Sequence, residues 1–149
     1  MAATPTTLAH DAIANLQRLT DLFQARRAAL ALAAGLTEQQ WEVLERIATE
    51  HFMPSLFARH RASSAAAVSR LIRQLLDKRL VSVSARAHDG RQRQYVLTAK
   101  GRRTLDALRA DRRSAIDTIW TSLDPPALAT FVAVSAELIR RIERYAAAS

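Results

Sequence analysis

Residues 64–101 read SAAAVSRLIRQLLDKRLVSVSARAHDGRQRQYVLTAKG, and the hydrophobic period changes partway along. Val68, Leu71, Ile72, Leu75 and Leu76 recur at i, i+3, i+4, i+7 and i+8, one apolar stripe of a helix. Ser64 stands just ahead, with a side-chain oxygen suited to the free N–H groups of a first turn. The opposite face carries Ala66, Ser69, Arg70 and Arg73, small at its start and cationic further on. The period then falls to two. Val81, Val83 and Ala85 alternate with polar residues, and Tyr95 and Leu97 do so on the far side of Asp89-Gly90. Two short alternating runs around an Asp-Gly pair predict a β-hairpin. Thr98 is placed to cap a further helix.

A helix with a small, basic exposed face, followed by a hairpin tipped with Arg91 and Arg93, is the layout of a winged helix. The small leading side chains Ser64, Ala65 and Ala66 let such a helix approach base edges in a major groove. Ser69, Arg70 and Arg73 then stand where they can bond those edges. The hairpin, with Arg86, Arg91 and Arg93, can follow the backbone or probe the minor groove, whose negative potential favours arginine. Asp89 is an acid in a basic tip. Phosphates repel a carboxylate, so Asp89 is expected to orient an arginine. Taken singly, each of these residues is explained as well by a core helix and a hairpin with solvated charges. Their order along the chain favours double-stranded DNA as a partner.

The charge is placed to match. The 149 residues carry a net +8, yet 12 Lys/Arg and only two acids, Asp77 and Asp89, lie between Arg59 and Arg103. That block is +10 and the remainder of the chain is −2. A basic block in an otherwise near-neutral protein indicates one polyanion-binding face. No stretch approaches a membrane span, and no basic amphipathic helix keeps a bulky apolar face free for lipid, so no membrane partner is expected. With 49% hydrophobic residues, three glycines and few aromatics, the composition favours a mostly helical single domain with a sizeable core. The absence of cysteine excludes disulfides, thiol nucleophiles, thiolate metal sites and thiol redox sensing. The start of the sequence lacks a signal peptide's charge and apolar run, so a cytoplasmic location is expected.

Working outward, Leu8 to about Leu32 predicts one long helix. Ala12, Ile13, Leu16, Leu19 and Phe23 form its stripe and Gly35 its stop. So long a terminal helix cannot bury its stripe on a small winged unit alone; it needs the C-terminal helices or a second subunit. Thr37-Glu38-Gln39-Gln40 is a capping box. It opens a helix expected to bury Trp41, Leu44, Ile47 and Ala48, with an acidic outer face of Glu38, Glu42, Glu45 and Glu50. His51-Phe52-Met53 is a connector. Pro54 begins a short helix ending near His60, with Phe57 and Ala58 inward. Arg61-Ala62-Ser63 has the length of a helix-turn-helix turn. Beyond the hairpin, Thr98 to Leu123 is expected to be helical, with Leu105, Leu108, Ile116, Ile119, Trp120 and Leu123 in a loose stripe. Asp124-Pro125-Pro126 breaks it and caps a last helix expected to bury Leu128, Phe131, Val132, Leu138, Ile139 and Ile142.

Other chemistry finds little support. There is no Gly-rich phosphate loop and no G-x-S-x-G elbow, and Ser63-Ser64 has no base visible in the sequence. An enzyme and a cofactor are therefore not expected. His10, His51, His60 and His88 show no metal-ligand spacing. His51, beside Glu50, is the least weak metal or proton-sensing candidate, and a solvated connector histidine explains it better. No metal site is expected.

The helix order resembles that of the multiple-antibiotic-resistance regulator (MarR) family of bacterial transcription factors. The residues that carry the resemblance are L-T-E-Q-Q-W-E-V-L at Leu36 to Leu44, A-A-A-V-S-R-L-I-R-Q-L at Ala65 to Leu75, D-G-R at Asp89 to Arg91, and V-L-T-A-K-G at Val96 to Gly101. A D-x-R hairpin tip followed at fixed spacing by L-T-x-x-G is the most specific of these. The resemblance implies a mainly α fold with a small β-wing: one domain over 1–149, a winged helix-turn-helix DNA-binding region at 36–101, and dimerisation helices at 8–34 and 104–149. It implies a homodimer whose end helices interlock, with Leu16, Leu19, Phe23, Trp120, Phe131, Leu138 and Ile142 as candidate interface residues. Each subunit would present its winged helix to half of a palindromic site, with Arg91 in the minor groove. It further implies a repressor released by a small apolar or aromatic acid held between the dimer helices and the winged region. Phe23, Trp41, Phe52 and Met53 are candidates to line that cleft, and each is explained equally well as core.

The chain departs from the family pattern at Arg79, where glycine is usual. It departs again at Arg61, in place of leucine, and at Ala62-Ser63, in place of a glycine and an apolar residue. Two other readings stand beside this one. A winged helix can serve as a protein-interaction or nonspecific architectural module, although Ala65, Ala66 and Ser69 are small for a protein-binding face. A metal-responsive regulator rests on scattered histidines alone.

Overall fold

The computed structural model describes residues 4–49, 52, 54–61, 63–85 and 93–149. Their elements run α1 (Pro5–Ala33), α2 (Glu38–Thr49), α3 (Pro54–His60), α4 (Ala65–Asp77), β1 (Val81–Ala85), β2 (Arg93–Leu97), α5 (Ala99–Ala115), a π-helical turn (Ile116–Trp120) and α6 (Pro125–Ala148). The fold is mainly α with one small antiparallel hairpin. The chain divides into two compact units, Met1–Leu108 and Arg109–Ser149.

In the first unit, α1 begins earlier than its apolar stripe suggests. Thr4 accepts from the Thr7 N–H at 3.2 Å, and Pro5 takes the first helical position, where a missing N–H costs nothing. At the other end Gly35 adopts a φ of 71°, and Leu36 N–H reaches back to the Ala31 carbonyl at 2.8 Å. This left-handed closure is the reason for a glycine there. Both halves of the capping box form: Thr37 Oγ1 accepts from Gln40 N–H, and Gln40 Oε1 accepts from Thr37 N–H, each at 3.1 Å.

The core of this unit lies under α2 and α4. Trp41, Val43, Leu44, Ile47, Val68, Ile72, Leu75, Leu80, Val81, Leu105 and Leu108 are buried, with Ala31, Leu36 and Ala58 at its edges. Leu71 and Leu76 flank it half-buried, which completes the α4 stripe. One expected core position, Ala48, is not in it. Ala48 is exposed and Val43 takes its place, because the buried face of α2 turns toward Gln40 and Val43. Val83 is exposed as well, since a two-stranded hairpin covers only one end of its inner face.

The hairpin pairs Val81 with Leu97, Val83 with Tyr95 and Ala85 with Arg93. It returns the chain to Thr98, whose Oγ1 accepts from Gly101 N–H at 3.0 Å and so caps α5. A Cβ on Gly101 would lie 2.0 Å from the Leu80 carbonyl oxygen, so only glycine lets the first turn of α5 sit on the backbone just before β1.

In the second unit, the helix expected to run to Leu123 stops being α-helical at Ala115. A π turn over Ile116–Trp120 follows, and Thr121 N–H closes on the Ile116 carbonyl at 3.1 Å. Asp124 caps α6 by accepting from Ala127 N–H, with Pro125 at its first position. Arg141 and then Arg140, bonded to Glu137, hold its carboxyl below the usual glutamate range. Trp120 packs against Phe131 at 6.4 Å between centroids. The expectation that α6 buries its apolar face is not met within one chain. Phe131, Val132, Leu138, Ile139 and Ile142 are exposed, and Leu128 is only half-buried.

Candidate nucleic-acid interface

Helix α4 is built so that one side belongs to the core and the other to solvent. Ser64 has an extended backbone and accepts from Ala67 N–H at 3.1 Å, which fixes the first turn. The preceding turn is closed by Ser63 N–H on the Ala58 carbonyl at 2.9 Å. With Val68, Ile72 and Leu75 buried, the helix has to display Ser64, Ala65, Ala66, Ser69, Arg70 and Arg73, all of which are exposed. Arg70 and Arg73 have no ion-pair or hydrogen-bond partner among the described residues, nor does the exposed Arg93 at the tip-side end of β2. Arg86, Asp89 and Arg91 lie outside the described residues.

Other cations of the basic block have work inside the protein. Arg61 is ion-paired with Glu42 of α2. Arg102 donates to the Leu97 carbonyl at 3.1 Å and Lys100 to the Lys78 carbonyl at 3.0 Å. Lys78 donates to the Gly35 carbonyl at 2.6 Å and to Gln40 Oε1 at 2.7 Å. Among the described residues of the block, Arg59, Arg70, Arg73, Arg79, Arg93 and Arg103 are left without such a partner, and Arg70 and Arg73 of these stand on the exposed side of α4. Charge counting in the sequence cannot make this distinction.

The end of α4 has an unusual backbone. Arg79 adopts a φ of 57°, and Leu80 N–H bonds the Leu75 carbonyl at 3.0 Å. The closure is the one glycine makes after α1, here imposed on an arginine. Thr98 Oγ1 accepts no part of it but donates to the Arg79 carbonyl at 2.7 Å, so the strained residue is held from the start of α5.

The candidate effector residues that the structure describes, Trp41, Phe52 and Phe23, differ in burial. Trp41 is in the core, with the Arg27 guanidinium 4.3 Å from its ring centroid, and its Nε1 donor is buried without a partner among the described residues. Phe52 is half-buried against Phe57 and Tyr95, at 5.6 and 6.3 Å between centroids. Phe23 is half-exposed on α1. Met53 and His51 lie outside the described residues. A cleft of about 420 Å³ opens elsewhere, between α2, α3 and α4, and includes Phe57, Arg61, Arg70, Leu71 and Gln74 in its lining. Sequence reasoning missed it because its walls mix polar and apolar residues from three elements with no shared spacing. Of the candidate dimer residues, Leu16, Leu19 and Trp120 are half-buried, and Phe131, Leu138 and Ile142 are exposed. No group of three or more metal-ligating side chains occurs among the described residues, and no single helix is long and apolar enough to cross a membrane.

No family model matches the sequence, and no curated protein does. Solved structures share its architecture. A MarR family transcription regulator aligns at a TM-score of 0.82 and 19% identity, covering 97% of this chain and 96% of its own. Staphylococcus aureus MarR in complex with salicylate and kanamycin aligns at 0.72 and 14% identity, covering 92% and 93%. A variant of S. aureus MepR bound to an oligodeoxyribonucleotide aligns at 0.64 and 16% identity, covering 85% and 94%. The chain therefore has the winged-helix fold of MarR-family regulators.

Proposed function

We propose that this chain is a DNA-binding transcriptional regulator of the MarR type, a homodimeric repressor that reads a palindromic operator through α4 and the hairpin. The observation that carries this reading is the face of α4. Its core side is filled, its leading residues are alanine and serine, and Arg70 and Arg73 stand exposed without partners among the described residues. Exposed guanidinium groups behind small side chains suit base edges and phosphates. Arg91 is assigned to the minor groove and Asp89 to orienting it. The exposed apolar residues of α6, together with Leu8, Ile13 and Phe23 of α1, support dimerisation, because water contact on so many large side chains is unfavourable.

Release by a small aromatic or apolar acid is part of the proposal. The S. aureus MarR structure was solved with salicylate. Here the buried Trp41 Nε1 lacks an acceptor among the described residues, and Arg27, which pairs with Glu38 at 3.6 Å, lies over the same ring; an effector carboxylate would compete with Glu38 for that cation.

The test is the salt dependence of DNA binding, read by fluorescence anisotropy. Each phosphate contact contributes a log–log slope of about −0.9, so about six contacts weaken binding roughly a thousandfold between ~50 and ~200 mM salt. An affinity unchanged over that range would overturn the assignment of α4 and the hairpin to DNA.

A further inference from the structure

Gln40 is the one buried polar residue among the described residues, at 3% exposure. Capping α2 uses only its Oε1, through Thr37 N–H. Its amide Nε2 donates to Gln74 Oε1 at 2.8 Å, and its Oε1 accepts a second bond, from Lys78 Nζ at 2.7 Å. The same ammonium donates to the Gly35 carbonyl, in the turn that closes α1. The last turn of α4 is thus fastened to the start of α2 and to the end of α1 by one connected set of bonds. On its other side, Lys100 and Thr98 hold the Lys78 and Arg79 carbonyls.

We infer that Gln40, Gln74 and Lys78 form a joint that fixes the angle of α4 against α1, and through it the half-site spacing that the dimer accepts. The inference rests on the proposed DNA-binding dimer. Apolar contacts such as those of Val68, Ile72 and Leu75 are non-directional and tolerate a small rotation, whereas hydrogen bonds weaken steeply with angle and distance. The joint sits at the C-terminal end of α4, and the residues assigned to DNA begin at the other end. Thirteen helical residues span roughly 20 Å, so a rotation of about 10° at the joint displaces the leading end by roughly 3 Å. That is about the rise of one base pair. Because α1 is a proposed dimer helix, the α1–α4 angle sets how far apart two copies of α4 stand. Gln40, Gln74 and Lys78 are positioning residues in this account; none need touch DNA.

The experiment compares the full-length protein with Lys78→Met, Gln74→Leu and Gln74→Glu. The first two remove bonds while keeping apolar bulk, and the third keeps an acceptor for Gln40 Nε2. Affinity is measured on operators selected by the wild-type protein, on the same half-sites one base pair closer or farther apart, and on an isolated half-site. Wild type and Gln74→Glu should prefer the selected spacing. Lys78→Met and Gln74→Leu should lose about tenfold of that preference, the scale of a typical coupling between sites, with isolated half-site affinity unchanged. Should Lys78→Met not fold, Gln74→Leu against Gln74→Glu carries the comparison. An equal loss of affinity at every spacing, or an intact preference in both variants, would overturn the joint while leaving the DNA reading in place. A wild-type protein that selects no DNA sequence would overturn that reading and the inference with it.

Discussion

At the scale of single residues, two backbone positions on either side of the hairpin carry opposite constraints. Arg79 occupies a left-handed conformation that disfavours any side chain, with φ at 57°. Arg79→Gly should raise stability to urea by about 0.5–1 kcal/mol, the relief of that strain less the glycine's greater loss of entropy on folding. A lower urea midpoint would show that the arginine side chain contributes more than its conformation costs. Gly101 is constrained by space, since a Cβ would overlap the Leu80 carbonyl oxygen at 2.0 Å. The obstacle is backbone that also accepts from Thr98 N–H, so it cannot move aside freely. Gly101→Ala should cost at least about 2 kcal/mol by the same measurement; an unchanged midpoint would contradict the packing of α5 on β1. The sequence discloses these positions unevenly. An arginine where the resembling family has glycine is visible, and so is the Thr98 cap. The Leu80 carbonyl above Gly101 is not, because residues 21 apart meet only once the hairpin has formed. Gln40 is legible as half of a capping box, while its bonds to Gln74 and Lys78 depend on how α2 and α4 cross.

At the scale of elements, periodicity locates α2 and α4 well because each has one buried face, and it locates the hairpin strands by their alternation although Val83 is exposed. It places the start of α1 late, since Thr4 and Pro5 precede the first apolar residue of the stripe. It also runs α5 through a π turn, which keeps helical spacing while shifting the faces by part of a turn. The division of labour between α4 and the hairpin leads to a prediction. Ser69 and Arg73 are exposed on α4, and a side chain that bonds a base edge carries about 1–3 kcal/mol of discrimination. Ser69→Ala or Arg73→Ala should therefore relax the choice of base at one or two positions in each half-site. Arg91→Ala should lower affinity wherever flanks are A·T-rich and leave the half-site bases unchanged, because a narrow minor groove reads width more than identity. Asp89→Ala should act as a milder Arg91→Ala. Binding profiles of the four variants on randomised sites check this; an altered half-site motif in Arg91→Ala alone would reverse the roles of helix and hairpin.

At the scale of the molecule, the +8 charge is a property of one block, and part of that block is spent on internal bonds by Arg61, Lys78, Lys100 and Arg102. The exposed apolar residues of α6 are not a failure of the helical pattern that predicts them buried. The stripe is where the sequence places it, and one chain does not cover it. Sedimentation at micromolar concentration should find a dimer, and Ile142→Glu, which puts a charge on that stripe, should shift it toward monomer; a monomeric wild-type protein would remove the basis for a two-fold operator. The account's central claim is that two copies of α4 read one palindrome. Selection of binding sites from random duplex DNA by the full-length protein tests it most directly. The result expected is an enriched inverted repeat whose half-site centres lie about 10–10.5 base pairs apart, or a multiple of that. Enrichment of a single unrepeated motif, or of no motif, would contradict it.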